Sequence, residues 1–170
     1  DSVGIIDCLD ALKESWIQKK ESCINFNKTS KRYKKGVGIA TCWYGCGNTA
    51  LPNPSTIKIG LTNEGRISLH QGATDIGQGS NTVISQITAD AIGVRIENID
   101  LVSPDTFLTP DCGKTSASRQ TYVTGKAAYN AGLKLRSEIL RLSNMGNDSL
   151  IKIEKNEIII SNNGKGQKID

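Results

Sequence analysis

Apolar positions along the chain switch between helical and strand spacing. Cys8, Leu9, Leu12, Trp16 and Ile17 recur at helical intervals among Lys and Glu, which predicts an amphipathic helix over residues 7–20 packing one face on a core. Residues 25–35 are polar and basic and read as a solvated loop, with Lys31, Arg32, Lys34 and Lys35 as a small charge run. Val37, Ile39, Thr41 and Trp43 then alternate, predicting a strand and turn over 36–47. Strands over 55–62 and 66–71, joined by Asn63-Glu64-Gly65, form a hairpin with Ile57, Ile59, Leu61, Ile67 and Leu69 turned to one core. Val83, Ile84, Ile87 and Ala91 mark a helix that begins after Gly79 and stops at Gly93. A buried strand is expected over 97–102, with Ile99 and Leu101 pointing one way. A second helix is expected from about 118 to 143, with Ala128, Ala131, Leu135, Ile139 and Leu142 as its apolar stripe and small residues at 127, 128, 131 and 132 permitting close approach. Residues 150–153 and 157–160 form a terminal hairpin, and 162–166 a flexible turn. The fold class is α+β: a mixed β-sheet with helices packed on one face.

The length, 170 residues, suits one domain, 1–170, divisible into an N-terminal helix and loop (1–35), a core (36–142) and a terminal hairpin and tail (143–170). The formal charge of +4 is mild and its Lys and Arg are scattered, so no nucleic-acid surface is called for. No apolar run is long enough for a membrane span and no signal peptide is visible, so neither a membrane nor a secretory role is expected. Five cysteines, an odd number, at 8, 23, 42, 46 and 112 argue for free thiols in a reducing, cytoplasmic compartment. Cys42 and Cys46 stand alone, without the second pair or histidine that a zinc or iron–sulfur site needs. His70, the only histidine, reads as a hydrogen-bonded structural residue at a strand end.

Chemistry concentrates in residues 70–93. A strand feeds a loop with Gly72, Gly77 and Gly79, and a helix follows. Such a loop exposes backbone N–H groups at the positive end of the helix dipole, an arrangement suited to an anion. The familiar templates fail in detail. Gly72 to Gly77 has P-loop spacing, but Gln78 stands where Lys is required. Gly113-Lys114-Thr115 has the P-loop ending, but Leu108 stands where the first Gly belongs. The dinucleotide fingerprint fails because Gly77-x-Gly79 is followed by Thr82. Gln78, between two glycines, can donate and accept at once through its amide. Asp75 reads as a turn cap. A second anion site is expected where the hydroxyls of Thr115, Ser116 and Ser118 precede a helix, with Arg119 free to pair with a phosphate or with Asp105.

Both stretches, taken in register, resemble the molybdenum-cofactor subunit of the molybdenum hydroxylases, a family that includes xanthine dehydrogenase, aldehyde oxidoreductase and nicotinate dehydrogenase. The matching residues are Gly77-Gln78-Gly79, Thr82 and Gln86, then Asp105-Thr106, Pro110, Thr115, Ser118-Arg119, Gly125 and Ala127-Ala128, over residues 36 to about 140. The resemblance implies that Gly77, Gln78 and Gly79 contact a molybdopterin cofactor near its metal. It also implies that Thr115, Ser118, Gln120 and Thr121 hold the pyrophosphate and nucleotide portion, a cytosine dinucleotide form being expected. No residue of the chain is expected to ligate molybdenum directly. The segment at Asn48 and Thr49 would reach towards the substrate pocket, without the aromatic ring that purine-oxidising relatives place there.

The same resemblance implies oxidative hydroxylation of a purine, another N-heterocycle or an aldehyde by a xanthine dehydrogenase-like oxidoreductase. The family's catalytic base is a Glu in a Gly-rich segment downstream of these motifs, and nothing here matches it. The motifs for two [2Fe–2S] clusters and a flavin (FAD) region are likewise unmatched. The chain is therefore expected to hold part of a cofactor cleft, with no catalytic residue of its own, and to work with the remainder of the molybdopterin subunit and with iron–sulfur and flavin partners. A nucleotide-binding regulatory or scaffold domain without redox chemistry is the alternative.

Overall fold

The computed structural model describes residues 4–42, 44–45, 47, 50–154, 157–162 and 165–169. By its contacts the chain divides into two units, Asp1–Trp43 and Tyr44–Asp170. No helix among the described residues is long and apolar enough to cross a membrane.

The first unit is built on α1 (Ile5–Thr29), which runs past the expected end because no Gly or Pro interrupts residues 21–29. None of its residues is buried. The basic run folds back on the helix's C-terminus. Asn27 Nδ2 donates to the Lys35 carbonyl and Asn27 Oδ1 accepts from its N–H, both at 2.8 Å. Lys34 Nζ donates to the carbonyls of Asn27 (2.6 Å) and Ser30 (3.0 Å). The cations thus meet the orphan carbonyls and negative dipole end of α1. The strand expected over 36–47 does not form among the described residues. An extended segment is a strand only when another backbone pairs with it, and no described segment does.

In the second unit, β1 (Lys58–Leu61) pairs antiparallel with β2 (Ile67–His70) across the expected turn. β2 leads through the glycine loop into α2 (Ser80–Ile92), which Gly93 ends in a left-handed conformation. A short 3-10 turn then delivers β3 (Ile99–Val102), parallel to β2. Parallel pairing puts the C-terminal ends of β2 and β3 on the same edge of this mixed sheet, so the loops at 71–79 and 103–118 leave side by side. That edge is where open α/β sheets place ligands. Arg66 fastens the other end of the pair, donating to both carboxylate oxygens of Asp100 and to the Glu97 carbonyl.

The helix expected from 118 begins instead with a π turn (Gln120–Thr124) and continues as α3 (Gly125–Leu142). Ala117 and Ser118 explain the delay: both have positive φ, +50° and +56°, which a right-handed helix cannot accommodate. Beyond α3, β4 (Leu150–Glu154) and β5 (Glu157–Asn162) form the expected hairpin, and β6 (Lys165–Ile169), which was not expected, adds a third antiparallel strand that begins within the last two residues of the turn expected over 162–166.

Ile151 pairs across from Ile160, and Ile153 from Ile158. All four are buried with Ile67, Ile92, Ile139 and Leu140 in one apolar cluster, so both sheets and both helices share a core. Each such side chain contributes about 1.5–3 kcal/mol. Leu69, Ala73, Ile84, Cys112 and Ala128 make a second cluster directly beneath the loops. The architecture is α+β.

Helices α2 and α3 meet at Gly132, where a Cβ would stand 2.8 Å from Ala91 Cβ and 3.3 Å from the Thr88 carbonyl. In an open helix, Gly→Ala stabilises by about 1 kcal/mol. Here Gly132→Ala is expected to destabilise by about 1–3 kcal/mol through overpacking, read as a lower urea midpoint; a raised midpoint would refute the close crossing.

Candidate functional site

The two loops at the sheet edge are joined chemically. Gly72 packs so closely on the Pro110 carbonyl that a Cβ there would collide with it. The Gly72 N–H donates to Cys112 Sγ (3.0 Å), and the Cys112 thiol donates to the Thr56 carbonyl (3.1 Å). Further out, the Thr74 carbonyl accepts from both Thr115 Oγ1 (2.7 Å) and Gln78 Nε2 (3.2 Å). Gln78 and Thr115, far apart in sequence, therefore hang on one acceptor. Between them lies a cavity of about 220 Å³ lined by Gln78, Thr115, Ser116, Ser118, Arg119, Gln120 and Thr121.

The structure thus brings together Gln78, Thr115, Ser118, Gln120 and Thr121, with Gly77 and Gly79 flanking Gln78. Gly77 and Gly79 have φ of +104° and +79°, and nothing in the protein lies within 4 Å of where their Cβ atoms would be. Glycine is needed there for conformation, and that side of the loop is open. Gln120 is a wall residue: Nε2 donates to the Gly113 carbonyl (3.2 Å) and Thr115 Oγ1 (3.3 Å), and Oε1 accepts from Thr124 Oγ1. The hydroxyls of Ser118 and Thr121, both exposed, make no hydrogen bond to another described residue. Asn48 and Thr49 lie outside the described residues.

Two expectations are corrected. The glycine loop is not an open anion cradle, because Asp75 fills it. Asp75 Oδ1 accepts from the N–H groups of Gly77 (2.9 Å) and Gly79 (3.2 Å), and Oδ2 from that of Asn81 (3.1 Å). The bond from Gly77 foremost, then that from Asn81, holds the Asp75 carboxyl below the usual carboxylate range, so the loop carries its own anion at neutral pH.

Nor does Arg119 pair with Asp105 or stand free for a phosphate. Only 1 % exposed, it donates through Nη1 to the carbonyls of Cys112 (2.7 Å) and Lys114 (3.0 Å), through Nη2 to Pro54 O (2.9 Å) and through Nε to Asn53 Oδ1. Asp105 instead accepts from the N–H groups of Phe107 and Leu108 in its own loop.

The cavity's donor set consists of neutral hydroxyls and amides beside a buried guanidinium, with no carboxylate in its lining. That chemistry suits a polar ligand with an anionic part. No group of metal-ligating side chains occurs among the described residues.

Residues 10–168 match the family model described as the molybdopterin cofactor-binding domain. The chain belongs to that family. The putative xanthine dehydrogenase molybdenum-binding subunit of Escherichia coli (strain K12) is 33% identical over 147 residues, 82% of this chain and 19% of that protein. The 6-hydroxypseudooxynicotine dehydrogenase complex subunit gamma of Paenarthrobacter nicotinovorans is 37% identical over 83 residues, 49% of this chain and 10% of that one. Among solved structures, aldehyde oxidoreductase from Desulfovibrio desulfuricans aligns with a TM-score of 0.55 and 28% identity, covering 84% of this chain and 16% of that one. This molybdopterin-binding domain therefore spans about a fifth or less of the relatives it matches.

Sequence reasoning passed over Asn53. Its Nδ2 donates to the Gly47 carbonyl (2.8 Å) while its Oδ1 receives Arg119. The signal was there: Asn53 sits between Pro52 and Pro54, two of only four prolines, in a segment whose backbone is stiff and extended. Tyr44 was also missed; its Oη accepts from the Ala117 N–H at 2.9 Å.

Replacing Arg119 with Ala would orphan three carbonyls and one amide oxygen. The expected cost is about 3–5 kcal/mol, a large share of a domain's stability, and Arg119→Lys would recover only part of it because an ammonium cannot span the fork. Chemical denaturation measures both; a near-native midpoint for Arg119→Ala would show that the clamp is dispensable.

Proposed function

We propose that this chain holds one portion of a molybdopterin cofactor, in its cytosine dinucleotide form, within a xanthine dehydrogenase-like molybdenum hydroxylase. The observation that carries the reading is the convergence of Gln78 with Thr115, Ser118, Gln120 and Thr121 on one cavity. Its volume, about 220 Å³, lies below the roughly 300 Å³ at which enclosed small-molecule sites begin. The chain would accordingly enclose part of such a cofactor and leave the rest to other segments of the subunit. Exposed apolar side chains next in sequence to the lining residues and their loop, Ile76 and Tyr122, are what those segments would cover.

The residues present fit the group. Ser118 and Thr121 offer free hydroxyls for phosphate oxygens next to the first turn of the helix that leads into α3. Thr115 keeps an acceptor lone pair, and Gln78 keeps one N–H and one lone pair beyond those its own loop uses. Gly77 and Gly79 allow close approach to the backbone beside Gln78. Gln120 fixes the wall behind Thr115. When bound, the cofactor supplies the redox chemistry by which a purine, another N-heterocycle or an aldehyde is hydroxylated. The chain's own contribution is to bind and orient it, which converts binding into reaction geometry. Electrons would leave through [2Fe–2S] and FAD carried on other subunits or domains, in the cytoplasm, where free thiols such as Cys112 persist.

The test is made on the full-length subunit in its native complex, by measuring metal content and identifying the nucleotide released from it. Molybdenum with a pterin and CMP is expected; a metal-free complex that binds an ordinary nucleotide would favour a regulatory nucleotide-binding module. In the same complex Gln78→Ala is expected to lower kcat or molybdenum occupancy on the order of tenfold or more, with stability changed by no more than about 1 kcal/mol. Native activity and full metal content in that variant would remove Gln78 from the site.

A further inference from the structure

The glycine loop has backbone N–H groups at the N-terminus of α2, and the carboxylate of Asp75 already holds three of them. Two of its bonds go to Gly77 and Gly79, the residues immediately on either side of Gln78, and the third to Asn81 at the start of α2. Gln78 itself folds back on the same loop. Its Oε1 accepts from the Ile76 N–H at 2.7 Å and its Nε2 reaches the Thr74 carbonyl at 3.2 Å. The N–H groups of Ile76, Gly77, Gly79 and Asn81 are all held by the Asp75 carboxylate or by Gln78's own amide, and beyond them the Gly79 carbonyl accepts from the Val83 N–H (3.0 Å) as α2 begins. Gly77 and Gly79, at φ of +104° and +79°, have open space where a Cβ would stand. Two adjoining residues of high conformational freedom would leave Gln78 mobile unless something tied them down.

We infer that Asp75 is the positioning residue of the cofactor loop: its carboxylate staples Gly77, Gly79 and Asn81 so that the Gln78 amide is presented to the ligand in one orientation. This rests on the reading of Gln78 as a cofactor contact. It has a second consequence. Because a carboxylate occupies the α2 N-terminus, an anionic group on the ligand is repelled from the glycine loop and directed to the hydroxyls at 115–121. The Gly77-Gln78-Gly79 loop then recognises its ligand through the one remaining N–H and lone pair of a side-chain amide.

The experiment is a double-mutant cycle in the full-length subunit within its complex, with Asp75→Ala, Gln78→Ala and the pair, plus Asp75→Asn as the milder variant. Asp75→Asn keeps an oxygen for Gly77 and Gly79, loses the charge and the acceptor facing Asn81, and turns an amide NH2 towards the Asn81 N–H. Three quantities are read: amide hydrogen exchange of Gly77, Gly79 and Asn81, molybdenum and nucleotide retained per subunit, and kcat separately from KM. Asp75→Ala is expected to speed exchange at those three amides on the order of tenfold or more, and to lower kcat or cofactor retention to within about threefold of Gln78→Ala. Added to Gln78→Ala it should cost less than about twofold more, because residues acting as one unit are not additive. Asp75→Asn should restore most of the loss.

Independent, multiplying losses from the two substitutions would show that Asp75 acts on something other than Gln78 and would overturn the inference. Native exchange in Asp75→Ala would do the same. A wild-type subunit found without molybdenum or pterin nucleotide overturns instead the functional reading beneath it, and is recognised before any variant is made.

Discussion

The cavity depends on one guanidinium. Arg119 is the largest fully buried side chain among the described residues, and it ties Asn53 and Pro54 on one side to Cys112 and Lys114 on the other, reinforcing the bonds between Thr56 and residues 111–112. A planar fork with five donors is the only side chain that can satisfy four acceptors converging from different directions. Its hold explains the local backbone. Gly113 lies against the guanidinium at a φ of +69°, where a Cβ would be 2.8 Å from Nη1. Ala117 and Ser118 adopt left-handed conformations that cost about 1–2 kcal/mol each for residues with a Cβ. Such strain persists only where the surroundings over-determine it. Arg119 pins the chain on one side of these residues, while Tyr44 and Gly47 hold both backbone groups of Ala117 on the other.

That arrangement commits four of the five N–H donors of Arg119 to the protein itself. Those bonds are directed into the protein, while Ser118 and Thr121 of the stretch it stiffens are exposed. Charge is spent on order and neutral donors are left at the surface. The glycine loop repeats the logic with the opposite sign, since Asp75 is consumed by backbone N–H groups and Gln78 is left to face the cavity. In both loops an ionised side chain organises the backbone and an uncharged one is presented.

The local parts of this design were legible in the sequence. Periodicity found α2, the stop at Gly93, the β1–β2 hairpin and the β4–β5 hairpin, because each is decided by residues a few positions apart. The grouping of Gln78 with Thr115, Ser118, Gln120 and Thr121 came from two motifs in register; the parallel pairing of β2 with β3 supplies its physical reason, since it brings both loops to one edge. What escaped was decided at long range. A basic residue beside serines reads as a phosphate ligand until the carbonyls of Pro54 and Cys112 are known to surround it. The turn cap expected of Asp75 is observed, and its consequence, that the same carboxylate fills the anion cradle the glycine loop offers, follows only from its bonds to Gly77, Gly79 and Asn81 together. The segment expected as a strand over 36–47 has the right alternation, but no partner strand pairs with it among the described residues, which no single-segment pattern can reveal.

The division of charge bears on how a cofactor would lie. A ligand with an anionic end and a neutral end meets two loops of unequal character, one already carrying a carboxylate and one offering unoccupied hydroxyls beside a buried cation. Only one orientation places the anionic end at Ser118 and Thr121 and the neutral end at Gln78. The opposite orientation would set phosphate against Asp75, where like charges a few ångströms apart are costly. The open flank at Gly77 and Gly79 adjoins this cleft, and Tyr122, 82 % exposed, follows directly on its lining residue Thr121. A surface that exposes an aromatic ring beside unsatisfied hydroxyls is one that further protein would complete. Closing it would exclude water from both loops and strengthen the same electrostatic preference that sets the direction of the ligand.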